Sequence, residues 1–442
     1  MLEIDPFLTA YDPSDLPGAS MDPLGFERGY LLLAEKILPA LTNVAAVPRY
    51  FSMLCAGTSL AAVEPTAPVR KQREARRETV MRLERLWVLA NYLAARKNES
   101  WSLNGLRGLR YVAAEAARLD QSGETAADPD YKLLSRQAPY GVLGIYGAVA
   151  EELRFFADRD AMVLSPDAGV RLAEAFREET SLPASVRKAV LGEGSVSIAA
   201  LAKWGEAAYL AGPHGAEESA CLGDALDRDP VRARMCQRLA ERPFKANETE
   251  LDRLNRIAVA LDPTGPDADL RETIDVIIAY ESAYAWALLA FERLLWLCRE
   301  ATTPVSDSSR AGDRILKRIA EALPGVVSTL EAALHRVRTP HLGANPEPLV
   351  DVRQFLVRMA AAVPNVSDVS DVLLSRHADV QHGKFDRGRR KLPWLERTPD
   401  GIVLTMTRVG GLDREVTSPA DIRPHFYRLA AADAFTSARS AS

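Results

Sequence analysis

The chain has 442 residues, 47% of them hydrophobic and 26% charged, and a net charge of -5. That length suffices for two or three domains and for a core that needs no disulfide or metal staples. The mild acidity excludes a uniformly basic nucleic-acid coat protein but leaves room for a local basic surface.

Residues 1 to 25 carry Pro6, Pro13, Pro17 and Pro23, which predicts an extended, turn-rich lead-in. The stretch is acidic and lacks a basic region followed by an apolar one, so no signal peptide is expected. A helix is predicted from Phe26 to a stop at Pro39. Another runs from Arg49-Tyr50-Phe51 to Leu60. Val69 to Arg96 gives the clearest periodicity, with Val80, Leu83, Trp87 and Tyr92-Leu93 on one face. Its first half is dense in Arg and Lys, offset by Glu74, Glu78 and Glu84. This reads as a solvated face with i,i+4 pairs or, alternatively, as a face that contacts phosphates.

From Tyr131 the texture changes. A helix over Tyr140–Phe156 precedes a turn at Asp158-Arg159-Asp160, a short strand over Ala161–Leu164, and a helix capped by Ser165. This order resembles the end of a winged helix-turn-helix domain. Glu151 and Glu152 beside Arg154 disfavour direct reading of a major groove. Helices with Gly-rich turns follow from Ala199 to Leu251, and His214 in one such turn reads as structural. Pro263, Gly265 and Pro266 mark a candidate domain boundary. The apolar helix over Leu270–Glu300 carries Asp275, Glu281, Glu292 and Arg293, so a core helix is expected rather than a membrane span. Thr302–Ala311 reads as a polar loop, and two or three helices fill Gly312–Leu374. Near the end, Ile402–Arg408 and Glu415–Thr417 predict a β-hairpin across Gly410-Gly411, and a last helix begins at Tyr427.

The expected fold is therefore mainly α and multi-domain, with a winged helix-turn-helix-like element and a small C-terminal β-hairpin. The expected regions are a helical one over 1–130, a winged-helix-like and helical one over 131–260, a helical domain over 270–395, and a hairpin with a helix over 396–442.

Phosphate-loop, dinucleotide, zinc-protease and serine-hydrolase signatures are absent, so a non-ATPase without cofactor or metal is expected. Cys55, Cys221, Cys236 and Cys298 lie outside zinc-ligand spacings and read as reduced thiols of a cytoplasmic protein.

The densest polar chemistry lies in Leu373–Arg397. Arg376 and His382, with His377 directly after the arginine, resemble the R-x4–6-H motif of HEPN-domain ribonucleases over about residues 270–390. That resemblance implies a helical, metal-independent ribonuclease whose sites pair across a homodimer. His382 would serve as general acid or base and Arg376 would stabilise charge on the phosphoryl group. Six helical residues, however, turn through about 600°, which leaves the two about 120° apart. Arg336 and His341 fit the same spacing across Pro340.

Beside the pair lie Lys384, Arg387, Arg389, Arg390 and Lys391, followed by Trp394. They read as a phosphate-holding loop with a base-stacking aromatic, or equally as a clamp onto acidic helices. Finally, Leu24-Gly25, Leu38-Pro39 and Arg49-Tyr50-Phe51 resemble the start of uncharacterised bacterial proteins associated with phage-defence gene clusters. The expected partners are DNA or RNA and other proteins of such a system, with no membrane. The expected function is a nucleic-acid-associated component; a ribonuclease and an assembly scaffold are the alternatives.

Overall fold

The computed structural model describes residues 22–337, 346–386, 389–405 and 415–440. Helices dominate, and β structure among the described residues amounts to four two-stranded antiparallel pairings and an isolated bridge between Val305 and Ile402. The mainly α expectation holds. The described residues form two compact units, one within 40–241 and 428–440, the other within 22–39 and 242–427.

In the first unit the helix Val69–Ala95 is the central element. Its N-terminal half is solvated, whereas Val80, Leu83, Trp87, Leu89 and Ala90 are fully buried against the helices Arg49–Leu60 and Ile198–Ala207. Two buried polar side chains of this helix are satisfied across the unit. Trp87 Nε1–H donates to Ala208 O at 2.8 Å, and Asn91 Oδ1 accepts from the Leu210 N–H at 2.6 Å. Tyr50 stacks on Tyr146 with ring centres 4.8 Å apart.

The predicted Tyr140–Phe156 helix ends earlier, at Glu152. Arg154 takes a left-handed φ of 61°, and the Phe155 N–H returns to Ala150 O at 2.8 Å. This is a Schellman-type stop that reverses the chain without glycine. Phe156–Asp158 then pairs antiparallel with Val163–Leu164. Ser165 accepts from the Gly169 N–H at 3.0 Å, capping the turn before the helix Arg171–Glu179.

In the second unit the helix Ala268–Glu300 runs through the centre and packs on the helices Arg314–Arg336, Glu250–Ala260 and Glu27–Ile37. It is long and apolar enough to cross a membrane, but most of its apolar window is buried within the protein. Phe26 is fully buried among Tyr280, Tyr284 and Phe355. The Pro263-to-Pro266 turn, read from sequence as a boundary, joins two helices of this same unit; Asp262 accepts from the Thr264 N–H at 2.9 Å.

Two local expectations are corrected. The supposed loop Thr302–Ala311 contains the helix Asp307–Gly312, because Ser306 caps the Ser309 N–H and Arg310 is buried. The C-terminal hairpin exists, but its described pairing joins Gly401–Leu404 backwards to Leu395–Thr398; residues 406–414, with the expected turn at Gly410-Gly411, lie outside the described residues. Thr398-Pro399-Asp400-Gly401 supplies the turn, with Thr398 Oγ1 donating to Gly401 O at 3.0 Å.

Candidate functional site

The helix Val366–His382 carries the residues singled out by sequence. Arg376 is buried, and its guanidinium is fully engaged. Nη1 and Nη2 donate to the two Asp351 oxygens at 2.9 and 2.6 Å, and Nε donates to Leu24 O at 2.8 Å. It also lies 5.4 Å from the Phe355 ring centre. Gly25, at φ +77°, makes room for it: a Cβ there would stand 2.7 Å from Arg376 Nη2. His382, the last residue of the helix, is exposed. The helix thus turns Arg376 inward and His382 outward, as the angular argument requires.

Part of the neighbouring basic segment is structural as well. Lys384 Nζ donates to Asp22 O at 2.6 Å, and burial pulls its ammonium below the usual lysine range. Trp394 is 5% exposed and packs on Phe291 and His377, so its reading as a base-stacking surface aromatic is corrected. An indole sealed in a core has no open face. Arg390 is exposed, and Lys391 is half-buried with its N–H on Lys384 O at 3.0 Å. Arg389 enters the short ladder with Phe385–Asp386 through its backbone, and Arg387 lies outside the described residues. Arg376, His377 and Lys384 together clamp the Asp22–Leu24 stretch.

A different site stands in the first unit. A cavity of about 490 Å³ opens between the basic half of the Val69–Ala95 helix, the Val142–Glu152 helix and the Phe156–Leu164 hairpin. Arg73 and Arg77, four residues apart on one helix, share a face. Among the described residues neither makes an ion pair; the adjacent Glu74 and Glu78 face Arg70 and Arg82 at 3.4 and 3.3 Å. Like charges at that spacing oppose helix formation by a few tenths of a kcal/mol. Arg136, lying over the Tyr140 ring, and Arg159, 3.5 Å from Glu151, complete the rim. Asp160 is the one carboxylate in the lining. The floor is apolar: Leu54, Phe156 and Met162 are all buried.

Two contacts fix this geometry. Arg76 Nη1 donates to Ala161 O at 2.8 Å, tying the hairpin to the basic helix. Glu84, fully buried on that helix, accepts from the Val142 N–H and from Gln137 Nε2, both at 2.7 Å. It caps the helix that forms the cavity wall. Burial pushes the Glu84 carboxyl up, against these hydrogen bonds.

Comparison with known proteins finds no match among family models, curated sequences or solved structures. The functional reading therefore rests on chemistry. Four always-charged forks from three separate elements around one recess suit an anion with several oxygens. The basic helix face is legible in the sequence; that Arg136 and Arg159 join it is not.

Proposed function

We propose that the chain is a nucleic-acid-associated, non-ATPase component of a bacterial multi-protein system, acting in the cytoplasm. The observation that carries this reading is the convergence of Arg73, Arg77, Arg136 and Arg159 on one cavity, offset in its lining by Asp160 alone. The phosphate-contacting alternative for the basic helix is the one this arrangement supports. The hairpin then contributes Arg159 in the manner of a wing reaching a backbone phosphate. The antiviral setting rests on the resemblance of the opening segment to phage-defence-associated proteins. The ribonuclease alternative gains no support, since Arg376 is committed to Asp351 and Leu24.

The test is binding of labelled oligonucleotides across a salt series. Affinity should fall with salt, and Arg73→Ala/Arg77→Ala should weaken binding about tenfold or more. For a single strand, the loss of two phosphate contacts should flatten the log–log salt slope by about 1.4. Binding that is absent, indifferent to salt, or unchanged in the double variant would sink the reading and leave an assembly scaffold.

A further inference from the structure

We propose that the arginine-rimmed cavity receives one unpaired nucleotide of a single strand, its base against the apolar floor and its flanking phosphates on the rim arginines. This rests on the nucleic-acid reading above and names what the site selects. Three features of the site support it.

The first is shape. A recess of about 490 Å³ falls within the usual range for pockets that enclose a small molecule. A duplex keeps its bases stacked inside a convex cylinder and has nothing to insert. An unpaired strand can splay a base outward.

The second is polarity. A bare phosphate would engage the arginines but leave Leu54, Leu143, Phe156 and Met162 unused. A nucleotide has both parts, a flat and weakly polar base and an anionic backbone.

The third is Gly147, in the middle of the Val142–Glu152 helix and part of the cavity wall. Glycine is unfavourable there relative to alanine. Nearby Gly144 is required by the fold, since a Cβ would stand 1.9 Å from Pro139 O. Gly147 is different. Its Cβ would meet only Arg159 Cδ, at 4.0 Å. Internal packing does not demand a glycine at this position, and a side chain there would take space from the cavity.

The experiment compares a labelled single strand, its blunt duplex and an abasic strand of equal length, each in DNA and RNA form, at fixed salt. The single strand should bind at least tenfold more tightly than the duplex, and the abasic strand should bind like the duplex. Gly147→Leu should erase the preference. Gly147→Ala should raise the melting temperature by about 1–4 °C while weakening single-strand binding, a pair of changes that loss of folding cannot produce. Equal binding of strand and duplex, or an abasic strand bound as tightly as the intact one, overturns the proposal. So does an intact preference in Gly147→Leu. Should the leucine variant melt early, the alanine variant and the abasic strand decide. If the arginine variants lose binding but the Gly147 variants and the abasic strand do not differ from their controls, only the nucleotide pocket falls. If the arginine variants also change nothing, the nucleic-acid reading falls with it.

Discussion

Replacing Arg49 by methionine is expected to remove about 3–5 kcal/mol of unfolding free energy from the first unit, read by urea denaturation at neutral pH. Arg49 is 1% exposed and Glu218 is fully buried. Arg49 Nε lies 3.3 Å from Glu218 Oε1, and Nη2 donates to Pro213 O at 2.7 Å. His214 Nδ1 lies 3.1 Å from the same Glu218 oxygen. The Arg49–Glu218 pair is close without being hydrogen-bonded, since Arg49 Nε and both Glu218 oxygens lack a partner of suitable geometry. The attraction is therefore mainly Coulombic, and strong only because water is excluded.

Burial pushes the Glu218 carboxyl up, but His214, Arg49 and Ser52 together hold it below the ordinary carboxylate range. A carboxyl depressed in the folded state stabilises above its unfolded pKa and loses that contribution as pH falls through its folded value. Without Arg49, burial faces one opponent fewer and the carboxyl rises. The deficit of the Arg49→Met variant should thus be largest near neutrality and shrink on acidification. Arg49→Met/Glu218→Leu should recover most of the loss, because no charge is then left stranded. A deficit under about 1 kcal/mol, or a double variant no better than the single, would show that the charges do not couple.

The features legible in the sequence are those written in local periodicity. The Val69–Ala95 helix was visible because Val80, Leu83 and Trp87 recur at helical spacing, and all three are buried. The basic face that holds Arg73 and Arg77 was visible only as a density of Arg and Lys in the first half of that helix. Arg136 and Arg159 were not, because they reach the cavity through tertiary contacts, Arg76 to Ala161 and Glu84 to Val142, that no local pattern encodes. The hairpin turn at Pro399-Asp400-Gly401 carries a Pro-Asp-Gly signal that the sequence reading passed over, and the expected turn at Gly410-Gly411 lies outside the described residues. The basic segment was legible only in part. Its composition suits phosphates, but composition does not say which side chains point inward. Trp394 and Arg376 were drawn in by Phe291, His377 and Asp351, all distant in sequence or on another turn of helix. Charge density marked a polar junction within the second unit, and the less conspicuous basic helix held the open cavity.

That junction supplies the second large effect, a titration at His377. The imidazole is fully buried, with Nδ1 3.0 Å from Pro23 O and Nε2 accepting the Trp394 N–H at 2.8 Å. Nε2 is an acceptor, so the neutral ring carries its proton on Nδ1 and donates it to Pro23. A second proton would take away the acceptor that Trp394 uses. Burial pulls the imidazole down to about 4, with Lys384 adding to the effect and the Pro23 contact opposing it. An unfolded histidine titrates near 6.5, so between those values the unfolded chain binds more protons. The stabilisation is complete above about pH 6.5 and is lost as pH falls towards 4, by about 3 kcal/mol in all. Glu292 on the central helix runs the other way. Burial pushes its carboxyl up to about 7, so its folded form holds a proton that the unfolded chain releases, and stability falls as pH rises from the carboxylate range towards 7. The two slopes oppose each other, and the raw pH profile of the second unit should be flatter than either alone. The difference between wild type and His377→Gln isolates the histidine. It should be greatest at pH 7 and shrink steadily towards pH 4, while Glu292→Gln should steepen the acid loss. A wild-type-minus-His377→Gln difference that stays constant from pH 7 to pH 4, or a His377 ring resonance that titrates near 6.5 in the folded protein, would mean that the clamp on Pro23 and Trp394 does not hold the neutral imidazole.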